Sequence, residues 1–207
     1  MHKTLVIEPH YLGSLEYFCL LSQFQSVKLE VSDFFIKQTY RNRCYLLNSQ
    51  GRQLLSVPVW YGQGTTYKDV RIDHSQSWRK DHFRAIGTAY GKAPYFDYFM
   101  ELFAVLFEKK FEFLLDLNVH SLTICLKILG ISLQMTETEA YYPQVEAGET
   151  DARNMILPKK EYSFRDIYRP YTYIQNFGKE FEPNLSILDL IMCEGTNAFG
   201  VLKQSVK

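Results

Sequence analysis

The start of the chain constrains the fold most. Leu5-Val6-Ile7 is a short apolar run closed by Pro9, and Gly13-Ser14 then precede Leu15, Phe18, Cys19 and Leu21. An apolar run of strand length that ends at a proline reads as a buried strand. Apolar residues three and four apart behind a serine read as a capped helix. Strand, loop and helix open an α/β unit. Ser22 falls where that helix should carry another apolar residue, so its stripe is incomplete.

The rest of the chain fits a mixed fold. Tyr45-Leu46-Leu47 and Leu54-Leu55-Ser56-Val57 flank Asn48-Ser49-Gln50-Gly51, a hairpin signal with a loop of several residues. Pro58 has no N–H to donate and belongs at a strand end or edge. A second turn at Gly62-Gln63-Gly64-Thr65 leads into Val70-Arg71-Ile72. Ser77 caps a helix that carries Trp78, His82, Ala85, Ile86 and Ala89 and is interrupted at Ala93-Pro94. Phe99, Leu102, Phe103, Leu106 and Phe107 continue the helical period. Val119, Leu122, Leu126 and Leu129 repeat it up to Gly130, a C-terminal stop. Ser186-Ile187-Leu188-Asp189 has capping-box-like spacing before Leu188, Ile191 and Met192, and Gly195 ends that helix.

The expectation is an α/β protein: a sheet with an N-terminal strand-loop-helix unit and a β-hairpin, packed by a central helical region and a C-terminal helix. One domain over 1–207 is expected. Residues 1–75 are mainly strands plus one helix, 76–131 helical, 141–160 a long exposed loop, and 161–207 a C-terminal segment.

Charge excludes some functions. Lys and Arg total 23 against 23 Asp and Glu, so no global field gathers nucleic acid or an anionic membrane. Cys19, Cys44, Cys125 and Cys193 form no CxxC pair and read as buried free thiols in a reducing compartment. The opening apolar run is too short for a signal peptide, and no stretch of about 20 apolar residues occurs. A cytoplasmic protein with no membrane insertion is expected. No motif names a metal or another cofactor.

Several residues are candidates for chemistry. Glu8-Pro9-His10-Tyr11 follows the first strand, where ligands gather in open α/β sheets, and Glu8 or His10 could transfer a proton there. The plainer alternative is a proline-shaped turn with solvated side chains. Glu16 sits in the first turn of the following helix with Glu8 before it, and two carboxylates repel a phosphate there. Arg41 and Arg43 share a face if their stretch is extended, with Asn42 opposite, and two guanidinium forks suit a carboxylate, phosphate or pyrophosphate. The alternative is a basic edge that discourages strand pairing. Trp78 and His82, one helical turn apart, could shape a ring pocket or lie satisfied in the core. Asn118 precedes an apolar stripe and reads as an N-cap. Gly62-Gln63-Gly64 has Tyr67 where a dinucleotide fingerprint needs glycine, so it is a turn.

In this order the pieces resemble a known family. Glu8-Pro9-His10-Tyr11-Leu12 with Tyr17-Phe18 resembles the WbqC-like opening, which usually runs Gln-Pro-x-Tyr-Leu-Pro-Trp-Leu-Gly-Tyr-Phe. Tyr40-Arg41-Asn42-Arg43 through Val57-Pro58-Val59, Trp78 and His82 through Tyr95-Phe96, and Leu117-Asn118 are similar to its later blocks. The tail from Phe177-Gly178 to Glu194-Gly195 resembles bacterial, Bacteroidetes-type members. The resemblance implies a transferase of a small acyl or aminoacyl group onto a sugar in surface-polysaccharide (O-antigen type) synthesis. A non-catalytic scaffold of such a complex is the alternative. The implied partner is a small-molecule substrate, a nucleotide sugar or an activated small acid, and not nucleic acid. It implies Glu8 and His10 as proton-transfer residues, and Tyr11, Arg41, Asn42, Arg43, Trp78, His82 and Asn118 around substrate. The first motif departs from the usual one at Glu8, Gly13, Ser14 and Glu16, which points to a different ligand or to lost activity.

Overall fold

The computed structural model describes residues 4–207, so Met1-His2-Lys3, part of the start read above as lacking a leader, lie outside the described residues. Strand β1 (Thr4–Ile7) and helix α1 (Leu15–Leu21) form the opening unit, with the Ser14 hydroxyl accepting from the Tyr17 amide at the cap. Ser22, which interrupts the apolar stripe, is the C-cap of α1. The chain returns through β2 (Ser26–Leu29), parallel to β1.

The hairpin is present and tighter than expected. β3 (Arg43–Asn48) and β4 (Gly51–Ser56) pair from Arg43↔Ser56 to Asn48↔Gly51, so only Ser49 and Gln50 form the loop. Gly51 takes a φ of 102°, open to glycine at little cost. Pro58 lies between β4 and β5 (Val59–Trp60), which pairs antiparallel with β6 (Arg71–Ile72). Three helices follow: α2 (Trp78–Tyr90), α3 (Phe96–Glu108) and α4 (Leu114–Leu129), with Gly130 left-handed at the end of α4.

Two further strands complete the parallel sheet. β7 (Gln134–Glu137) pairs with β2, and β8 (Glu149–Asp151) pairs with β1, giving the order β7-β2-β1-β8. Neither strand was expected, and β8 lies inside the 141–160 segment read as loop. Its three residues, Glu149-Thr150-Asp151, carry no alternation, and pairing with β1 alone makes them a strand.

Helix α5 (Ile187–Glu194) has more than one apolar face. It is buried from Ile187 to Cys193 and contacted by α1, α2, α3, α4 and β3. The Ser186 hydroxyl caps it by accepting from the Leu188 amide at 3.3 Å. Asp189 does not close a capping box, because the Ser186 N–H bonds the Tyr45 carbonyl. The Asp189 carboxylate accepts from the Tyr173 hydroxyl at 2.7 Å and Gln175 Nε2 at 2.9 Å, and burial raises its pKa. A last helix, α6 (Ala198–Gln204), runs against α1 and α5. One apolar cluster extends from Leu5 to Leu202. Among the described residues no helix is long and apolar enough to cross a membrane.

Candidate functional site

The strand order places the site. From β1 the chain moves to β2 and later to β7 on one side, then crosses to β8 on the other side of β1. Where connections leave in opposite directions, a crevice opens at the carboxyl ends of the strands. Glu8, Pro9 and His10 follow β1 at this point, and Ala152, Arg153 and Asn154 follow β8.

Glu8 is buried, with 1 % of its surface exposed. Its Oε1 lies 3.5 Å from His10 Nε2, and its Oε2 accepts the Asn154 N–H at 3.0 Å. Burial opposes ionisation, but the His10 bond, the Arg41 charge and the Asn154 N–H outweigh it and hold the Glu8 pKa at about 2. His10 is also buried, and burial lowers its pKa despite the neighbouring Glu8 carboxylate. Glu8 is therefore ionised beside a neutral imidazole. With Nε2–H assigned toward Glu8 from these contacts, Nδ1 is a bare acceptor, and it has no partner among the described residues. The ring stacks on Tyr17 at 4.2 Å between centroids and lies 5.5 Å from Tyr40.

Arg41 completes the charge balance. It is fully buried (0 % exposed), its guanidinium lies 5.4 Å from the Tyr67 ring centroid, and one Nη reaches Asp33 at 3.5 Å. Among the described residues the Nε and the other Nη have no partner. Asn154 ties Asp33 to the same group through Nδ2 at 3.2 Å. Asn118 is no N-cap. It lies one turn into α4, fully buried, and its Nδ2 donates to the Arg41 carbonyl at 2.6 Å and the Tyr67 hydroxyl at 2.5 Å. That hydroxyl in turn donates to the Pro9 carbonyl at 2.8 Å. Asn118 thus fixes Arg41 and the Glu8–His10 turn to α4.

The other candidates go elsewhere. Residues 38–42 form turns, so the extended alternation that aligned Arg41 with Arg43 does not exist. Arg43 opens β3, is half-buried, and makes no ion pair among the described residues. Asn42 is tied to Val57, its Nδ2 donating to the Val57 carbonyl and its carbonyl accepting the Val57 N–H, while its Oδ1 is buried without a partner among the described residues. Tyr11, Trp78 and His82 form a second group. The Tyr11 hydroxyl and His82 Nδ1 are 2.9 Å apart, the Ser56 backbone bonds the same imidazole, and Trp78 meets its ring edge-on at 5.3 Å. Burial lowers the His82 pKa to about 4. Among the described residues no hydrogen bond, ion pair or ring contact joins this group to Glu8, His10 or Arg41.

Glu16 does not repel an anion as its sequence position suggested. The Arg165 fork binds both its oxygens, at 2.5 and 2.7 Å, and Asn184 adds a bond at 3.2 Å. Gly13, another departure from the usual motif, is sterically required: a Cβ there would lie 2.7 Å from the Tyr17 ring that stacks on His10. Sequence reading missed Asp33, Tyr67, Arg153 and Asn154. Asn154 alone had a signal, since asparagine favours the left-handed conformation it adopts at φ 56°.

Residues 8–160 match the WbqC-like protein family, from the first site residue to just beyond Asn154. The chain is 26% identical over 228 residues to the uncharacterized protein Rv1507c of Mycobacterium tuberculosis, covering 96% of each chain. No solved structure matches. The family match spans most of the chain, and with the later motif blocks in the same order it places the protein: it belongs to the WbqC-like protein family.

Proposed function

We propose that the protein is a cytoplasmic transferase that moves a small acyl or aminoacyl group from an anionic, activated donor to a sugar acceptor in surface-polysaccharide synthesis. The observation that carries this reading is a set of buried polar atoms without partners among the described residues, Arg41 Nε and Nη1 and His10 Nδ1, on the two side chains that hold Glu8 ionised. Buried donors and acceptors without partners are expensive in a folded protein, and a substrate that supplies the missing bonds removes the penalty.

Arg41 holds the anionic part of the donor. His10 Nδ1 takes the proton of the attacking hydroxyl or amine as that atom bonds the acyl carbon, and the leaving group departs with its charge facing Arg41. Glu8 orients His10 through Nε2 and stabilises the imidazolium that forms. Asn118, Asn154 and Tyr67 position these groups. Tyr11, Trp78 and His82 support the turn from the far side. Calorimetric titration of the protein and of Arg41→Ala with nucleotide sugars and acyl donors tests the reading. Binding that Arg41→Ala abolishes is expected; equal binding by both proteins would defeat it.

A second reading, a binding or scaffold protein, draws support from exposed apolar side chains on β5 and on the segment that bridges Thr66. Phe34 is 61 % and Trp60 66 % exposed. Under that reading Arg41→Ala leaves complex formation intact, and Trp60→Ser disrupts it.

A further inference from the structure

The parallel sheet has two unlike faces. Leu5, Ile7, Val27 and Leu29 project to one side and join the main core. The opposite row runs Asp151, Val6, Lys28, Thr136 in register, continued by Thr4, Ser26 and Gln134. Parallel sheets are normally buried on both faces by helices and are apolar on both. This second face is polar, and no helix follows β7. Instead the chain from 138 to 148 crosses from one outer strand of the sheet to the other as an irregular strap.

Between strap and sheet is a cavity of about 710 Å³. Val6, Lys28 and Thr136 form its floor, the segment 138–146 its roof, and Glu30 with Arg153 the end nearest the carboxyl edge. Its volume suits a small molecule. Its two floor and end cations are already matched, Lys28 to Glu149 at 2.6 Å and Arg153 to Glu30 at 3.2 Å and Asp151 at 2.8 Å.

Arg153 fastens the strap. Its fork donates to the Tyr142 carbonyl at 2.7 Å and the Pro143 carbonyl at 3.3 Å, and its guanidinium lies 5.0 Å from the Tyr141 ring centroid. Glu30, its buried partner, also accepts from Thr138 Oγ1 at 2.9 Å at the other end of the strap. The next residue, Asn154, is the one that bonds Glu8 and Asp33. The latch and the candidate site are therefore consecutive in the chain.

We propose that the 138–148 strap is a lid, latched by Arg153 to Glu30, over a polar chamber, rich in carboxylates, through which the uncharged sugar acceptor and not the anionic donor reaches the Glu8–His10–Arg41 cluster by way of the Arg153–Asn154 end. Release of Arg153 frees the Tyr142 and Pro143 carbonyls and loosens Asn154 from Glu8. This accounts for a cluster that is fully buried yet short of partners. The lid governs access to the site proposed above and rests on that reading for its purpose, but its test needs no turnover.

Two variants are compared with the wild type. Arg153→Gln removes the latch, and Arg153→Lys keeps a charge for Glu30 but loses the fork to the strap carbonyls. Hydrogen exchange read by mass spectrometry follows the 138–148 peptides, with β1 and α5 as references. Carbethoxylation by diethyl pyrocarbonate, which attacks the neutral imidazole, follows His10, with buried His82 as reference and exposed His120 as positive control. Exchange in the strap about 10-fold faster, with His10 labelled at least as much faster and the references unchanged, is expected for local opening. Wild-type strap exchange in both variants overturns the latch. A loosened strap with His10 still shielded overturns the chamber as the way in. A uniform rise across α5 and β1 marks global destabilisation and also counts against the lid. If the lid opens as described while the wild type transfers no acyl group, the lid stands and only the transferase reading falls.

Discussion

His10 and His82 are both buried, both neutral and both packed on aromatic rings, yet only His10 has a fully buried nitrogen with no partner among the described residues. His82 has the Tyr11 hydroxyl on one nitrogen and the Ser56 backbone beside it, with Trp78 against its edge. His10 has an ionised Glu8 on one nitrogen and nothing on the other. Residues 10 and 11 are adjacent, and the turn that separates them sends one ring to the carboxyl edge of the sheet and the other against α2. Burial and ring packing do not tell a structural histidine from a reactive one. Accounting for each nitrogen's partner does.

The sharpest way to break this contrast is Arg41→Ala. It strips Asp33 of its ion-pair partner and Glu8 of a nearby positive charge, and unfolding in urea should show a loss of about 3–5 kcal/mol. A loss below about 1 kcal/mol would mean that Arg41 does not compensate the Asp33 and Glu8 carboxylates.

Next in size is the pH dependence of His82. Its folded pKa, about 4, is below the ordinary 6.5, so between these values only the unfolded chain takes up the proton. The stabilisation is complete above pH 6.5 and falls as pH drops toward 4, by about 1.4 kcal/mol per pH unit. Thermal melts of His82→Phe should lack that share of the slope, and catalysis should change little. An unaltered slope would reassign it to other groups. Glu8 acts lower, between its ordinary 4.5 and about 2, again losing stabilisation as pH falls.

Glu8→Gln comes third, and it tests the reactive side. The carboxylate raises the His10 pKa against burial, so its removal should shift the acid limb of kcat to lower pH. Turnover should fall by about 10- to 100-fold, with KM nearly unchanged. A KM effect alone would place Glu8 in binding instead. The smallest effect belongs to Asn118→Ala, which strips a donor from the Arg41 carbonyl and the Tyr67 hydroxyl. It should cost about 1–3 kcal/mol of stability. No loss in chemical unfolding would show that water replaces both bonds.

The elements legible in advance share a property. β1, α1, the hairpin and the long helices carry local periodicity and turn residues, and each is present, although Ser77 makes no side-chain capping bond and α4 begins at Leu114, ahead of the stripe read after Asn118. β7 and β8 carry neither, because Gln134-Met135-Thr136-Glu137 and Glu149-Thr150-Asp151 are strands only through their neighbours. The position of Glu8 and His10 behind the first strand was readable, but the shared face of Arg41 and Arg43 was not, because residues 38–42 turn instead of running extended. The role of Asn118 was not, because the helix begins at Leu114, where the apolar residues give no sharper start than the stripe after Asn118. The Glu16–Arg165 pair spans 149 positions, and no local pattern reports it.

By itself the sequence determined the α/β class, the opening unit with its polar turn, and membership of its family, since all three are written in short-range order along the chain. Tertiary structure decided which polar groups meet. It brought Asn154 to Glu8, turned Arg41 inward and away from Arg43, and gave His82 its partners. Those outcomes depend on non-local strand pairing and on balancing buried charge, and both become defined only when distant segments share one low-dielectric interior.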